Sequence, residues 1–146
     1  GVSMGGTTAL LVAGRSDAPP NLVAVIEDSG YTSAEDMFVR KMESFNLPAG
    51  IIMRGVDYMS REKTGVALSE ASAIDAVRHT KTPTLFIHGT SDLLVPYSMM
   101  KELAAASTAP QKEELTIGGA WHAAAKAKDP ERYFGHVFPF ADRWTN

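Results

Sequence analysis

Gly1-Val2-Ser3-Met4-Gly5 opens the chain, and its reading decides the fold. The pattern is Gly-x-Ser-x-Gly. Read as a nucleophile elbow, it marks a strand that ends, a sharp turn at Ser3 and a helix that begins. Small residues suit such a turn. A side chain at Gly1 or Gly5 is expected to find no room, and glycine tolerates strained dihedrals. The helix after the turn aims its N-terminus at Ser3, so free N–H groups stand where negative charge beside the serine would need them. On this reading the Met4 N–H is the donor to that charge, and the strand that carries the elbow is expected before Gly1.

The rest of the chain alternates as an α/β protein does. Gly5 to Gly14 reads as a helix that is apolar nearly all round, as a helix packed on a sheet is. After the Pro19-Pro20 loop, Leu22 to Ile26 is a short apolar run, read as a parallel strand buried on both faces and flanked by Glu27-Asp28. Ser33 is placed to cap a helix that carries Glu35 and Asp36 in its first turn and runs to about Phe45. Leu47-Pro48 opens a second helix to about Tyr58. Ser60 to Leu68 is polar and reads as loop, and Glu70 to Val77 as a short helix. Thr84-Leu85-Phe86-Ile87-His88-Gly89 is the clearest strand. Pro96 starts a helix to about Ala106, Glu114 to Ile117 is a third strand, and Asp129-Pro130 starts a final helix. This order predicts a parallel sheet covered by helices on both faces.

Composition narrows the chemistry. With 146 residues and 45% hydrophobic content, the chain can bury one sizeable core. A net charge of −3 without a basic block argues against nucleic acid as a partner. The absence of cysteine excludes disulfides, thiol catalysis and cysteine metal sites. The four histidines have no metal-ligand spacing, so neither a metal nor a cofactor is expected. Gly5-Gly6-Thr7-Thr8 is not followed by the Gly-Lys-Ser/Thr of a phosphate loop. No run of about 18 apolar residues is present to cross a membrane. No signal peptide is visible. The chain begins with Gly rather than Met, so localisation stays open between the cytoplasm and, if a signal or anchor precedes Gly1, the cell surface.

In open α/β sheets, sites form at the carboxyl ends of the strands. Three loops there carry Ser3, Asp92 and His122 in that order. A serine hydroxyl is a weak nucleophile, a neutral imidazole can take its proton, and a carboxylate on the other ring nitrogen fixes the tautomer. Asp28 also follows a strand and competes for the acid position. The strand-Gly-x-x-Asp-x-x-x-Pro pattern favours Asp92. Of the other histidines, His79 reads as surface, His88 as a structural hydrogen-bonder at a strand end, and His136 as part of the last helix.

These stretches carry a resemblance. Gly1 to Gly6, Ile26-Glu27-Asp28-Ser29-Gly30-Tyr31-Thr32-Ser33, Leu85 to Pro96 and Gly118-Gly119-Ala120-Trp121-His122 resemble the α/β-hydrolase superfamily, above all bacterial serine hydrolases of the prolyl-oligopeptidase-like and BAAT-like kind. The resemblance implies that residues 1–146 are the C-terminal part of one α/β-hydrolase domain, holding the last three of eight strands. It implies a cap insertion over residues 29–80. It assigns Ser3 as nucleophile, Asp92 as acid and His122 as base. The family's second oxyanion donor comes from a loop after an early strand, which this sequence does not contain. Trp121 stands where many relatives have a smaller residue, and with Tyr31 it is a candidate substrate contact.

The expected function is a serine hydrolase that cleaves an ester, less readily an amide or peptide, through an acyl-enzyme. The partner is a small-molecule ester or acyl compound, and the oligomeric state is open. Two alternatives stand beside it: an acyltransferase with the same triad, and a non-catalytic fragment that self-associates through an exposed strand edge. Met37, Phe38, Met42, Phe45, Leu47, Ile51, Ile52, Met53 and Met59 are expected mostly to pack helices onto the sheet, the other reading being an apolar substrate pocket.

Overall fold

The computed structural model describes residues 1–145. They form two compact units, one of residues 1–32 and 73–145 and one of residues 33–72.

The first unit holds helix α1 (Met4–Ala13), strand β1 (Val25–Asp28), helix α4 (Ala73–Ala76), strand β2 (Thr84–Gly89), helix α5 (Tyr97–Ala106), strand β3 (Lys112–Ile117) and helices α6 (Ala125–Lys128) and α7 (Pro130–Thr145). The strands lie parallel in the order β1-β2-β3. Every residue of β2 is buried, as a central strand covered on both faces must be. Its alternating side chains divide the core. Phe86 joins Leu10, Ala13, Val77, Met100 and Leu103 on the α1, α4 and α5 face. Leu85 and Ile87 join Leu115, Ile117, Tyr133 and Phe140 on the α6 and α7 face. Burying each of these large side chains contributes about 1.5–3 kcal/mol. The expected two-sided α/β layering is therefore present.

β1 begins later than the apolar run suggests. Leu22 to Ala24 lie outside the ladder. Val25 N donates to Pro83 O at 2.8 Å. In a strand the N–H and C=O of one residue face the same neighbour, so Pro83, which has no N–H, gives the Val23 carbonyl nothing to accept and pairing stops there. The strand instead runs into the acidic pair. Asp28 N donates to Gly1 O at 3.0 Å and Ser3 N to Asp28 O at 2.7 Å, so β1 is hydrogen-bonded directly to the elbow segment. Val2 and Asp28 form a parallel bridge.

The second unit holds helix α2 (Ala34–Glu43), helix α3 (Ala49–Thr64) and a short 3-10 turn (Leu68–Glu70). Ser33 caps α2 as expected, its Oγ accepting from Asp36 N at 2.9 Å. α3 corrects the sequence reading. It continues through Ser60 to Thr64, where a loop was expected, because that polar stretch is the solvated part of a longer helix. The helix stops at Gly65, whose φ of 79° is the left-handed C-terminal conformation. Asp57 accepts from Ser69 N at 3.0 Å and Ser69 Oγ at 2.7 Å, and Arg61 pairs with Glu70, which ties the 3-10 turn to α3. The apolar set expected to pack inward does not do so as a group. Met53 is buried, whereas Phe45, Leu47, Ile51 and Met59 are exposed.

Candidate functional site

The loops at the carboxyl ends of the strands emerge side by side because the ladder extends past them. Ser29 N donates to Ile87 O at 2.9 Å and Thr90 N to Ile117 O at 3.1 Å. This arrangement brings together residues far apart in sequence.

Ser3 is the residue just before α1, with φ 52° and ψ −120°. That is neither helix nor strand, and for a residue with a Cβ it stores ~1–3 kcal/mol of backbone strain. The conformation is over-determined by its neighbours. Ser3 N is held by Asp28 O, Gly5 N donates to Val2 O at 2.9 Å and Thr7 N to Ser3 O at 3.0 Å. A Cβ on Gly1 would lie 2.3 Å from Gly5 O, so only glycine fits there. The expectation for Gly5 is corrected: a Cβ there meets nothing within 4 Å, because Gly5 faces outward from the first turn of α1.

The Ser3 side chain makes no capping bond to its own helix. Its Oγ lies 2.8 Å from His122 Nε2, and His122 Nδ1 lies 2.7 Å from Asp92 Oδ2. A carboxylate can only accept, so Nδ1 carries the proton and Nε2 presents a lone pair to the Ser3 hydroxyl. Asp92 Oδ1 accepts from Leu94 N and Val95 N, both at 2.9 Å. Asp92 is 7% exposed, while Ser3 and His122 are half-buried, so the chain of groups runs from the interior toward solvent. Met4 is the first residue of α1, directly after Ser3, so its N–H has no acceptor inside the helix.

The competing acid is placed elsewhere. Asp28 Oδ1 accepts from Ser29 Oγ at 2.8 Å. Asp28 also faces Tyr133, whose phenol is pushed up to about 12 by burial and then by the Asp28 charge and hydrogen bond. Asp28 thus braces the site instead of joining it. Ser29 has φ 59° and lies in the interior, and its Oγ accepts from Ala123 N at 3.3 Å, one residue past His122. The sequence reading saw Ser29 only as loop. Its signal was faint: a serine directly after a buried acid at a strand end.

Of the remaining candidates, Trp121 is 73% exposed beside His122. Tyr31 is half-buried, with its N–H on Thr7 Oγ1 at 3.0 Å, and burial raises its phenol. Met4 at the start of α1 and Leu93 and Leu94 in the loop after β2 are exposed apolar side chains. His88 is a structural hydrogen-bonder as expected, with Nε2 3.0 Å from Val95 O. His79 is exposed, and His136 Nδ1 lies 2.8 Å from Arg132 O within α7. Among the described residues no cluster of His, Asp and Glu could hold a metal ion. No helix among them is long and apolar enough to cross a membrane.

A model of the prolyl oligopeptidase family matches residues 1–146, the whole length described by the sequence. The chain belongs to the prolyl oligopeptidase family. Within the curated proteins it is 26% identical over 149 residues to the uncharacterized protein YqkD of Bacillus subtilis (strain 168), covering 100% of this chain and 48% of that one. The chain therefore spans about half the length of the curated relative it matches. Among solved structures it is similar to the Pyrococcus furiosus esterase Pf2001, with TM-score 0.70 and 21% identity, covering 100% of this chain and 52% of that one. It is also similar to the esterase domain of a Rhodothermus marinus protein, with TM-score 0.65 and 22% identity, covering 100% of this chain and 59% of that one. These likenesses establish the α/β-hydrolase fold, here as part of the domain.

Proposed function

We propose that this member of the prolyl oligopeptidase family is a serine hydrolase in which Ser3 is the nucleophile, His122 the general base and Asp92 the acid that orients it. The observation that carries the reading is the unbroken Ser3 Oγ, His122 Nε2, Nδ1, Asp92 Oδ2 line at 2.8 and 2.7 Å, built on a strained elbow. In this reaction Ser3 Oγ attacks the substrate carbonyl while His122 Nε2 takes its proton. The Met4 N–H donates to the oxyanion, and one such donor contributes about 3 kcal/mol to the transition state. His122 then returns the proton to the leaving group, and an acyl bond to Ser3 remains. Water, activated by His122, releases the acid.

An ester is the favoured substrate. The solved relatives described as esterases support this, as do the exposed apolar side chains of Met4 at the start of α1 and of Leu93, Leu94 and Trp121 on the loops after β2 and β3. Trp121 and Tyr31 are the proposed substrate contacts. The chemistry asks for no metal or cofactor. A fluorophosphonate probe on the full chain tests it: covalent labelling mapped to Ser3 and lost in Ser3→Ala is expected. Labelling that persists in Ser3→Ala overturns the assignment.

A further inference from the structure

Glu27 is a buried acid that the proposed mechanism does not use. It lies in β1, fully enclosed, one residue before the backbone that pairs with the elbow. Its Oε2 accepts from Gly30 N at 2.8 Å, and its Oε1 has no partner. Two glycines make its space. A Cβ on Gly6, in the first turn of α1, would lie 3.3 Å from Oε2, and one on Gly30 would lie 2.6 Å from it. The carboxyl therefore fills the gap between the helix that follows Ser3 and the turn that follows β1.

We propose that Glu27 is a positioning residue of the Ser3 site that works as a neutral acid, seating the first turn of α1 on the Gly30 turn, and that its ionisation disarms the site. The inference rests on the reading of Ser3 as nucleophile. A charged, enclosed carboxylate with one unpartnered oxygen is expensive, whereas a protonated one costs far less. Burial pushes Glu27 up to about 8. The Gly30 N–H works against that rise and Asp28 adds to it. The other surroundings are uncharged. The first turn of α1 carries no acid, the β2 register partner is Phe86, and the Gly30 turn brings only Tyr31. Once ionised, Glu27 places negative charge against the same helix end that Met4 uses for the oxyanion. Two anions there compete for one partial positive charge, and the transition state loses.

The experiment is the pH dependence of kcat/KM for a p-nitrophenyl acyl ester, measured on the full chain as wild type, Glu27→Gln and Ser3→Ala. Wild type is expected to lose roughly tenfold in rate for each pH unit beyond the Glu27 midpoint. Glu27→Gln keeps the shape and the Gly30 bond without the charge. It is expected to stay within about threefold of wild type near neutrality and to lack the alkaline limb. Equal alkaline limbs in wild type and Glu27→Gln overturn the proposal, as does a wild type with no such limb. Turnover unchanged in Ser3→Ala would instead defeat the nucleophile assignment and leave the Glu27 comparison readable by itself. If Glu27→Gln does not fold, the Glu27 carboxyl resonance followed by carbon NMR in wild type decides. A midpoint matching the alkaline limb supports the proposal, and a midpoint in the ordinary carboxylate range overturns it.

Discussion

His88 Nε2 lies 3.2 Å from Asp92 Oδ2, the oxygen that also meets His122 Nδ1 at 2.7 Å. Two imidazoles thus share one carboxylate oxygen, one from inside the protein and one from the site. His88 is fully buried, and its Nε2 also lies 3.0 Å from Val95 O, so that nitrogen carries the proton. One side chain thereby fixes both the acid and the loop that bears it. Tyr97 packs its ring edge-on against His88, and its hydroxyl meets Thr116 Oγ1 at 2.9 Å, which anchors the arrangement to β3. His88→Leu is expected to lower kcat by about 10–100-fold with little change in KM, because a small displacement of the acid misaligns His122. Steady-state kinetics on variant protein with a native circular dichroism spectrum checks this.

The two aspartates separate cleanly by mutation. Asp92→Asn should cost about 10⁴ in kcat, since an amide opposite Nδ1 favours the wrong tautomer. Asp28→Asn keeps the acid in place and should cost less than about tenfold in kcat, while lowering thermal stability through the weakened Ser29 and Tyr133 contacts. Kinetics that reverse this order would transfer the acid role to Asp28.

Glycine substitutions give opposite signs at two positions. A Cβ on Gly89 would lie 2.3 Å from Ala120 O, where the loops after β2 and β3 touch. Gly89→Ala should destabilise by about 1–3 kcal/mol or more and misplace His122. Gly55, inside α3, has nothing within 4 Å of such a Cβ. Gly55→Ala should stabilise by about 0.5–1 kcal/mol through helix propensity. Urea unfolding of both variants tests the pair.

Glu27 also sets a pH dependence of stability. Its folded value of about 8 stands above the ordinary 4.5, so between those values the folded chain holds a proton that the unfolded chain has released. The unfolded state binds fewer protons, and stability falls as pH rises through that window, by up to ~1.4 kcal/mol per pH unit. Stability from this group is fully present below the unfolded value and lost once pH passes the folded one. Thermal midpoints in Glu27→Gln should be flatter over the same range.

Where pattern and packing agree, the sequence was sufficient. β2 follows Pro83, carries the apolar run Leu85-Phe86-Ile87 and ends at Gly89, so its limits could be read directly, and Ser33 with Glu35 and Asp36 announced α2. The three residues that meet at 2.7 and 2.8 Å could be grouped from the sequence because Asp92 and His122 stand in the loops after β2 and β3 and Ser3 in a Gly-x-Ser-x-Gly turn before α1. Other features depend on the neighbouring chain. The late start of β1 reflects a missing N–H on Pro83, the residue just before β2. The length of α3 was hidden because a solvated helical face and a loop share one composition. Ser29, Glu27 and the His88 contact with Asp92 arise from tertiary approach, and no local pattern encodes them.

The bond between Ser3 and His122 spans 119 positions of the chain. Neither residue reaches the other until β1, β2 and β3 have paired and the turns at their ends have settled. Contacts of such separation pay their loop-closure entropy before any reward arrives. The site is therefore a record of completed folding. Catalytic competence should return no earlier than the sheet during refolding, so a burst of turnover would time the last assembly step more sharply than any spectroscopic signal from the helices.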